Sequence, residues 1–186
     1  MASSSSLFSS LLASRSALAD NLQLLRLLPS ASKYTEVCKI TGASIGQHTR
    51  HSTYHISVAT SPVLSAISLK PSTTSNNYDE RIRGDAIETD CESAIEHLSR
   101  LESSLGRAME ELPREYNSPM SVLFAMDNDS NNFTCFNSTV AREVAFAGHH
   151  ALHHLAMMKI IANGYALDLP DSFGKAPSTT RFEATK

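Results

Sequence analysis

Gly148-His149-His150-Ala151-Leu152-His153-His154-Leu155-Ala156-Met157-Met158 holds four of the chain's eight histidines within six positions. The flanking residues, Val144 to Ala147 and Leu155 to Met158, are apolar and free of Gly and Pro, which predicts a mostly buried helix. On a helix, residues four apart share a face, so His150 stacks with His154 and His149 with His153. Two imidazoles one turn apart aim at one point and form half of a site for a divalent metal. The competing reading is a set of solvated or hydrogen-bonded histidines. Their density in an apolar helix counts against it, because buried imidazoles need partners.

A second cluster lies at Gln47-His48-Thr49-Arg50-His51-Ser52-Thr53-Tyr54-His55. His51 and His55 share a helical face, and His48 lies one turn before His51. Only His97 falls outside the two clusters. A metal site built between two helices distributes histidines in this way; histidines used as filler do not.

Composition narrows the remaining classes. A length of 186 residues suits one domain with one core. The net charge of -3 gives no electrostatic basis for nucleic-acid binding. No apolar run approaches the roughly 20 residues of a membrane helix. Cys38, Cys91 and Cys135 are odd in number and far apart, so neither a disulfide framework nor a CxxC knuckle is expected. They read as small apolar fillers in a reducing compartment, and the expected location is cytoplasmic. The Ser-rich start overlaps in composition with organelle transit peptides. Leu11, Leu12, Leu18, Leu22, Leu25 and Leu28 recur at helical spacing, however, so a core helix behind a short Ser-rich tail is the preferred reading.

Four long helices are expected. The first runs from about Leu7 or Ser10 to Leu28, and a partly helical connector follows at Tyr34 to Ile40. The second starts behind Ser44 and reaches about Thr60, with Pro62 near its end or opening a further turn. Pro71 to Asn77 reads as a polar loop. Asp85 and Glu88 have capping-box spacing at the head of the third helix. Ile87, Cys91, Ala94, Ile95, Leu98, Leu101, Leu105, Met109 and Leu112 form its stripe, up to Pro113. Glu92, Glu96, Arg100 and Glu102 read as its solvated face, and His97 as a residue of that side with no chemical role. Ser121 to Met126 and Phe133 to Phe136 flank a turn-rich hexapeptide and predict a β-hairpin. Ser138 is expected to cap the fourth, His-rich helix, which ends near Asn163-Gly164, and Tyr165 to Lys186 reads as mostly irregular. The fold class is all-α: a four-helix bundle with a short β-hairpin excursion before its last helix and metal sites between facing helices.

Four segments taken in order resemble the damage-inducible DinB-like superfamily. They are Ser44-Ile-Gly-Gln-His-Thr-Arg-His51, Tyr78-Asp-Glu-Arg-Ile-Arg83 with Ile87-Glu-Thr-Asp90, His149-His-Ala-Leu-His-His154, and Phe173-Gly-Lys-Ala-Pro-Ser178. The resemblance covers residues 11–178, and residues 1–10 and 179–186 are read as tails. It implies an up-down-down-up four-helix bundle, often dimeric, that carries one divalent ion on three histidines. Matched residue by residue, the implied ligands are His51, His150 and His154. His153, His48 and His55 stand beside them, and Tyr54 occupies a position where many members carry Asp. The register His149 with His153 stays open, as does His48 or His55 in place of His51. Three neutral nitrogens leave coordination positions free, as catalytic sites do. Zinc and nickel suit imidazole and water ligands. Characterised members include thiol-dependent S-transferases, a maleylpyruvate isomerase and hydrolases, so a small-molecule or thiol substrate is expected. Arg81 and Arg83 are candidates for binding it or for anchoring their loop. A non-catalytic bundle stapled by a structural metal is the alternative.

Overall fold

The N-terminal leucines decide the first packed face. In a computed structural model of the chain, residues 6–68, 76–80, 82–127 and 132–185 are described. Helix α1 (Ser6–Leu27) buries Leu7, Leu11, Leu18, Leu22 and Leu25 along one stripe. It starts at Ser6, ahead of the expected domain boundary at residue 11. The short α2 (Ser32–Thr35) contributes the fully buried Tyr34, whose hydroxyl donates to the carbonyl of Ile87.

Helix α3 (Ile45–Ser68) opens with a reciprocal cap. The backbone N–H of Gln47 donates to Ser44 Oγ at 3.1 Å, and that of Ser44 donates to Gln47 Oε1 at 3.0 Å. The helix continues through Pro62 to Ser68, the further turn that the sequence left open beyond Thr60. Proline forfeits one helical hydrogen bond. Val58, Ala59 and Val63, all fully buried on either side of it, hold the helix through that interruption.

The single third helix expected from Asp85 to Leu112 is two helices, α4 (Ala86–Thr89) and α5 (Cys91–Glu111). Asp90 between them is extended, at φ -127° and ψ 116°, and its carboxylate caps α5 through the N–H of Glu92. Asp85 caps α4 through the N–H of Glu88 at 3.0 Å. The expected capping box does not close. Arg50 and the N–H of Gly84 take the carboxylate of Glu88 instead, at 2.9 and 3.0 Å. Glu92, Glu96 and Arg100 are exposed as predicted, and Glu102 pairs with Arg15 of α1.

Strands β1 (Pro119–Ala125) and β2 (Phe133–Thr139) form the hairpin, antiparallel from Pro119 opposite Thr139 to Ala125 opposite Phe133. Part of its turn, and the Pro71 end of the polar loop, lie outside the described residues. On its other side β1 meets Asn76 and Tyr78 through two backbone hydrogen bonds of Leu123. Among the described residues, the outer edge of β2 pairs with no strand.

Thr139, rather than Ser138, caps α6 (Val140–Asn163). The hydroxyl of Ser138 is occupied by Glu143, at 2.6 Å. The tail is mostly irregular, as its composition suggested, but it is anchored. Phe173 is buried, Gly174 crosses α6 with φ 69°, and α7 (Pro177–Glu183) follows. The Lys159 ammonium holds this crossing by donating to the carbonyls of Pro170, Asp171 and Phe173 at 3.1 to 3.4 Å.

The four long helices close a ring in which α1 packs on α6 and α5, and α3 packs on the same two. The protein is thus mostly helical, with the hairpin ahead of α6. No helix among the described residues is long and apolar enough to cross a membrane.

Helix α3 packs tightly on α4 at Gly46, where a Cβ would collide with the carbonyl oxygen of Glu88. Gly46→Ala is therefore expected to destabilise the protein by about 1–3 kcal/mol, the usual cost of overpacking. The denaturant midpoint of the variant measures this.

Candidate metal centre

The histidine-bearing faces of α3 and α6 meet inside the ring. His48, His51 and His55 come from α3, and His150 and His154 from α6. Three contacts join them. His51 Nε2 lies 3.0 Å from His150 Nε2, His150 Nε2 lies 3.1 Å from His154 Nε2, and His154 Nδ1 lies 2.9 Å from His48 Nδ1. His55 packs against both helices' rings, with centroids 4.6 Å from His51 and 4.2 Å from His150.

Protons alone satisfy this arrangement poorly. A neutral imidazole carries one N–H and one lone pair. His150 Nε2 faces two other Nε2 atoms. If it carries a proton, it can donate to only one of them, and the other contact needs a second proton in the same place. If it carries the lone pair, two N–H groups must share it. A cation accepts all three lone pairs at once. Two imidazole nitrogens each about 2.1 Å from one ion lie roughly 3.0–3.4 Å apart for ordinary bond angles. The observed 3.0 and 3.1 Å fall in that range.

Two overlapping triads are available. His51, His150 and His154 converge through Nε2. His51, His55 and His150 also offer one nitrogen each, all within 4.8 Å of one another. The 3.0 Å contact between His51 and His150 is common to both sets. His149 and His153 are both exposed, and His153 touches the cluster only through ring contacts, 5.2 Å from His154 and 6.3 Å from His150. His97 lies on α5, away from the cluster, and is half-buried rather than part of the solvated face. Arg83 is exposed, and Arg81 lies outside the described residues.

Burial dominates the electrostatics. The pKa of His154 is pushed down to about 2, first by burial and then by the neighbouring His51, His150, His48 and His153. That of His48 is lowered by burial and then by His153. Both rings are thus held neutral, the form that binds metal. If the Nε2 of His154 serves an ion, its proton sits on Nδ1 and donates to His48 Nδ1. The remaining proton of His48 is then on Nε2, a buried atom with no hydrogen-bond partner among the described residues.

A wall of aromatic rings stands beside the imidazoles, and sequence reasoning missed it. Tyr78 is sandwiched between His55 and Phe124, stacked on each at 4.8 Å. Its hydroxyl donates to the fully buried carboxylate of Glu143 at 2.9 Å, and Ser138 and Arg142 hold the other oxygen. Burial, and then the charge of Glu143, raise the pKa of the Tyr78 phenol, so it remains a donor. Phe146 stacks on His150 at 5.8 Å. A cavity of about 400 Å³ opens between this wall and the hairpin, lined by Phe124, Phe136, Phe146, Arg142 and their neighbours. The sequence offered one signal: Glu143 is an acid set against the apolar run Val144-Ala-Phe-Ala.

Among curated proteins, FK506-binding protein 5 of Rhizopus delemar is 30% identical over 103 residues. The match covers 55% of this chain and 26% of that protein, so the chain spans about a quarter of the relative's length. No family model and no solved structure matches the chain.

The buried imidazoles make the metal-free protein sensitive to acid. His154 stays neutral when folded and takes a proton when unfolded, from about pH 6.5 downward. Its depressed pKa therefore contributes stability that is complete above that pH and is lost as the pH falls. The slope approaches about 1.4 kcal/mol per pH unit. Urea midpoints of chelator-treated protein, taken from about pH 8 to about pH 5, should decline accordingly.

Proposed function

We propose that the chain is a DinB-like metalloprotein whose helices run up-down-down-up, with one divalent ion held by His51, His150 and His154. The observation that carries this reading is the approach of one α3 imidazole, His51, and one α6 imidazole, His154, to His150 Nε2. Zinc or nickel fits a donor set of neutral nitrogens. Such an ion supplies a lowered pKa to a bound water or thiol, which is the chemistry of hydrolases and thiol S-transferases.

In this reading the chain's own residues do the positioning. His48 fixes the tautomer of His154. Tyr78 and Phe146 hold His55 and His150 by stacking, and Glu143 fixes Tyr78. The cavity beside Phe146 admits a small molecule with apolar surface. The reading includes a cytoplasmic location and a homodimeric state. The name of the Rhizopus relative describes that protein's binding of FK506 and adds nothing to the argument.

A second reading rests on His55, which is buried against both His51 and His150. Were it a fourth ligand, the sphere would be closed and the ion structural. Cobalt substitution separates the two: an exchangeable water on the ion supports the enzyme, and four nitrogen ligands support the staple.

The purified protein is expected to contain one divalent ion per chain. His51→Ala, His150→Ala or His154→Ala should each weaken metal affinity by at least about 100-fold, more than the loss of an outer-shell partner. His149→Ala should leave it intact. A chain that binds neither zinc nor nickel ends the proposal. Loss of the ion in His149→Ala, with retention in His150→Ala, moves the ligands to the other register.

A further inference from the structure

Helix α3 carries a second polar face, turned away from the histidines. Arg50, Thr53 and Ser57 line a pocket of about 270 Å³ together with Ile82, Ile87 and His97, and Glu80 and Asp85 are its acidic lining. Arg50 is only 9% exposed and Thr53 only 1%. The Nε of Arg50 is committed to Glu88. Its Nη1 has no hydrogen-bond partner among the described residues, and neither does Oγ1 of Thr53. A buried donor or acceptor left unpaired is costly, so two of them on residues that line one pocket need an explanation.

We propose that this pocket is a binding site, separate from the metal centre, for a small zwitterion with a carboxylate and an ammonium joined by a short apolar chain. A guanidinium only donates, so what it lacks is an acceptor, and a carboxylate is the strongest. The charge around it selects further. Glu88 already neutralises Arg50, and Glu80 and Asp85 add negative charge. A simple anion is repelled there, whereas a molecule that brings its own cation is not. The carboxylate is received by Arg50 Nη1 and Thr53. The ammonium lies toward Glu80 and Asp85, and the chain runs along Ile82 and Ile87. Burial, and then Arg100, lower the pKa of His97, so its neutral ring does not oppose the ammonium.

The test is titration of the full chain with 5-aminopentanoate, followed calorimetrically, with pentanoate and pentylamine as probes that each keep one charge. It is run on zinc-loaded and on chelator-treated protein, so that the result does not depend on the metal reading. The zwitterion is expected to bind both preparations, and each single-charge probe about tenfold or more weakly, the worth of one charge-assisted hydrogen bond. Thr53→Val should weaken binding about tenfold and raise the Tm of the ligand-free protein, because it removes an unsatisfied buried hydroxyl. Ile82→Trp, at a position 76% exposed, should block binding without unfolding the chain. Failure of the zwitterion to bind, or equal binding of pentanoate, overturns the proposal. So does binding confined to zinc-loaded protein, or binding that survives both substitutions. A lowered Tm in Thr53→Val with binding unchanged means that the hydroxyl is satisfied by water alone, and also overturns it.

Discussion

Imidazoles buried between two helices have to be satisfied, and that requirement organises this protein. Leu or Val at the α3–α6 contact would pack without conditions. Five imidazoles do not: three are buried and two half-buried, and each brings one donor and one acceptor that need partners. The stack of Tyr78 on His55, the carboxylate of Glu143 behind Tyr78, and the His48–His154 pair are all responses to that demand. Each ring is fixed by a neighbour that is itself fixed. The result is a set of nitrogens gathered closely enough that an ion held there would cost little conformational entropy.

The precision of that gathering depends on where helices come close. Gly46 lets α3 lie against the carbonyl of Glu88, and Gly148 lets α6 approach Ser14 of α1. Gly174 brings the C-terminal segment across α6 at Ala156. These small residues set the distance of α3 and α6 from their surroundings, and thereby the distance between the two halves of the histidine cluster. Helix α3 is a shared wall in this arrangement, with imidazoles on one side and the Arg50–Glu88 pair on the other.

The sequence made the helices legible because their stripes are strong. The leucines of α1, the apolar run of α5 and the histidine spacing on α6 all keep their period over several turns. The hairpin was legible because two β-prone runs flank a turn-rich hexapeptide. What escaped was decided by competition between neighbours. Asp90 separates α4 from α5 because a second capping carboxylate outbids continuation of the helix, and Arg50 takes Glu88 from its expected box. Thr139 caps α6 because Glu143 occupies Ser138. At the site, spacing alone put His150 and His154 on one face. It gave no means of ranking His48, His51 and His55, because that depends on the rotation of α3 against α6.

The outer edge of β2, unpaired among the described residues, has a consequence for the protein in bulk. Its seven residues, Phe133-Thr-Cys-Phe-Asn-Ser-Thr139, carry no charge and no proline, and Phe133 and Phe136 are 39% and 41% exposed. Natural sheet edges usually carry a lysine, a proline or a bulge that discourages other chains from adding on. This one carries none of them. At high concentration it is the place where intermolecular strand addition would begin, and so it sets an upper limit on how concentrated the protein can remain monodisperse.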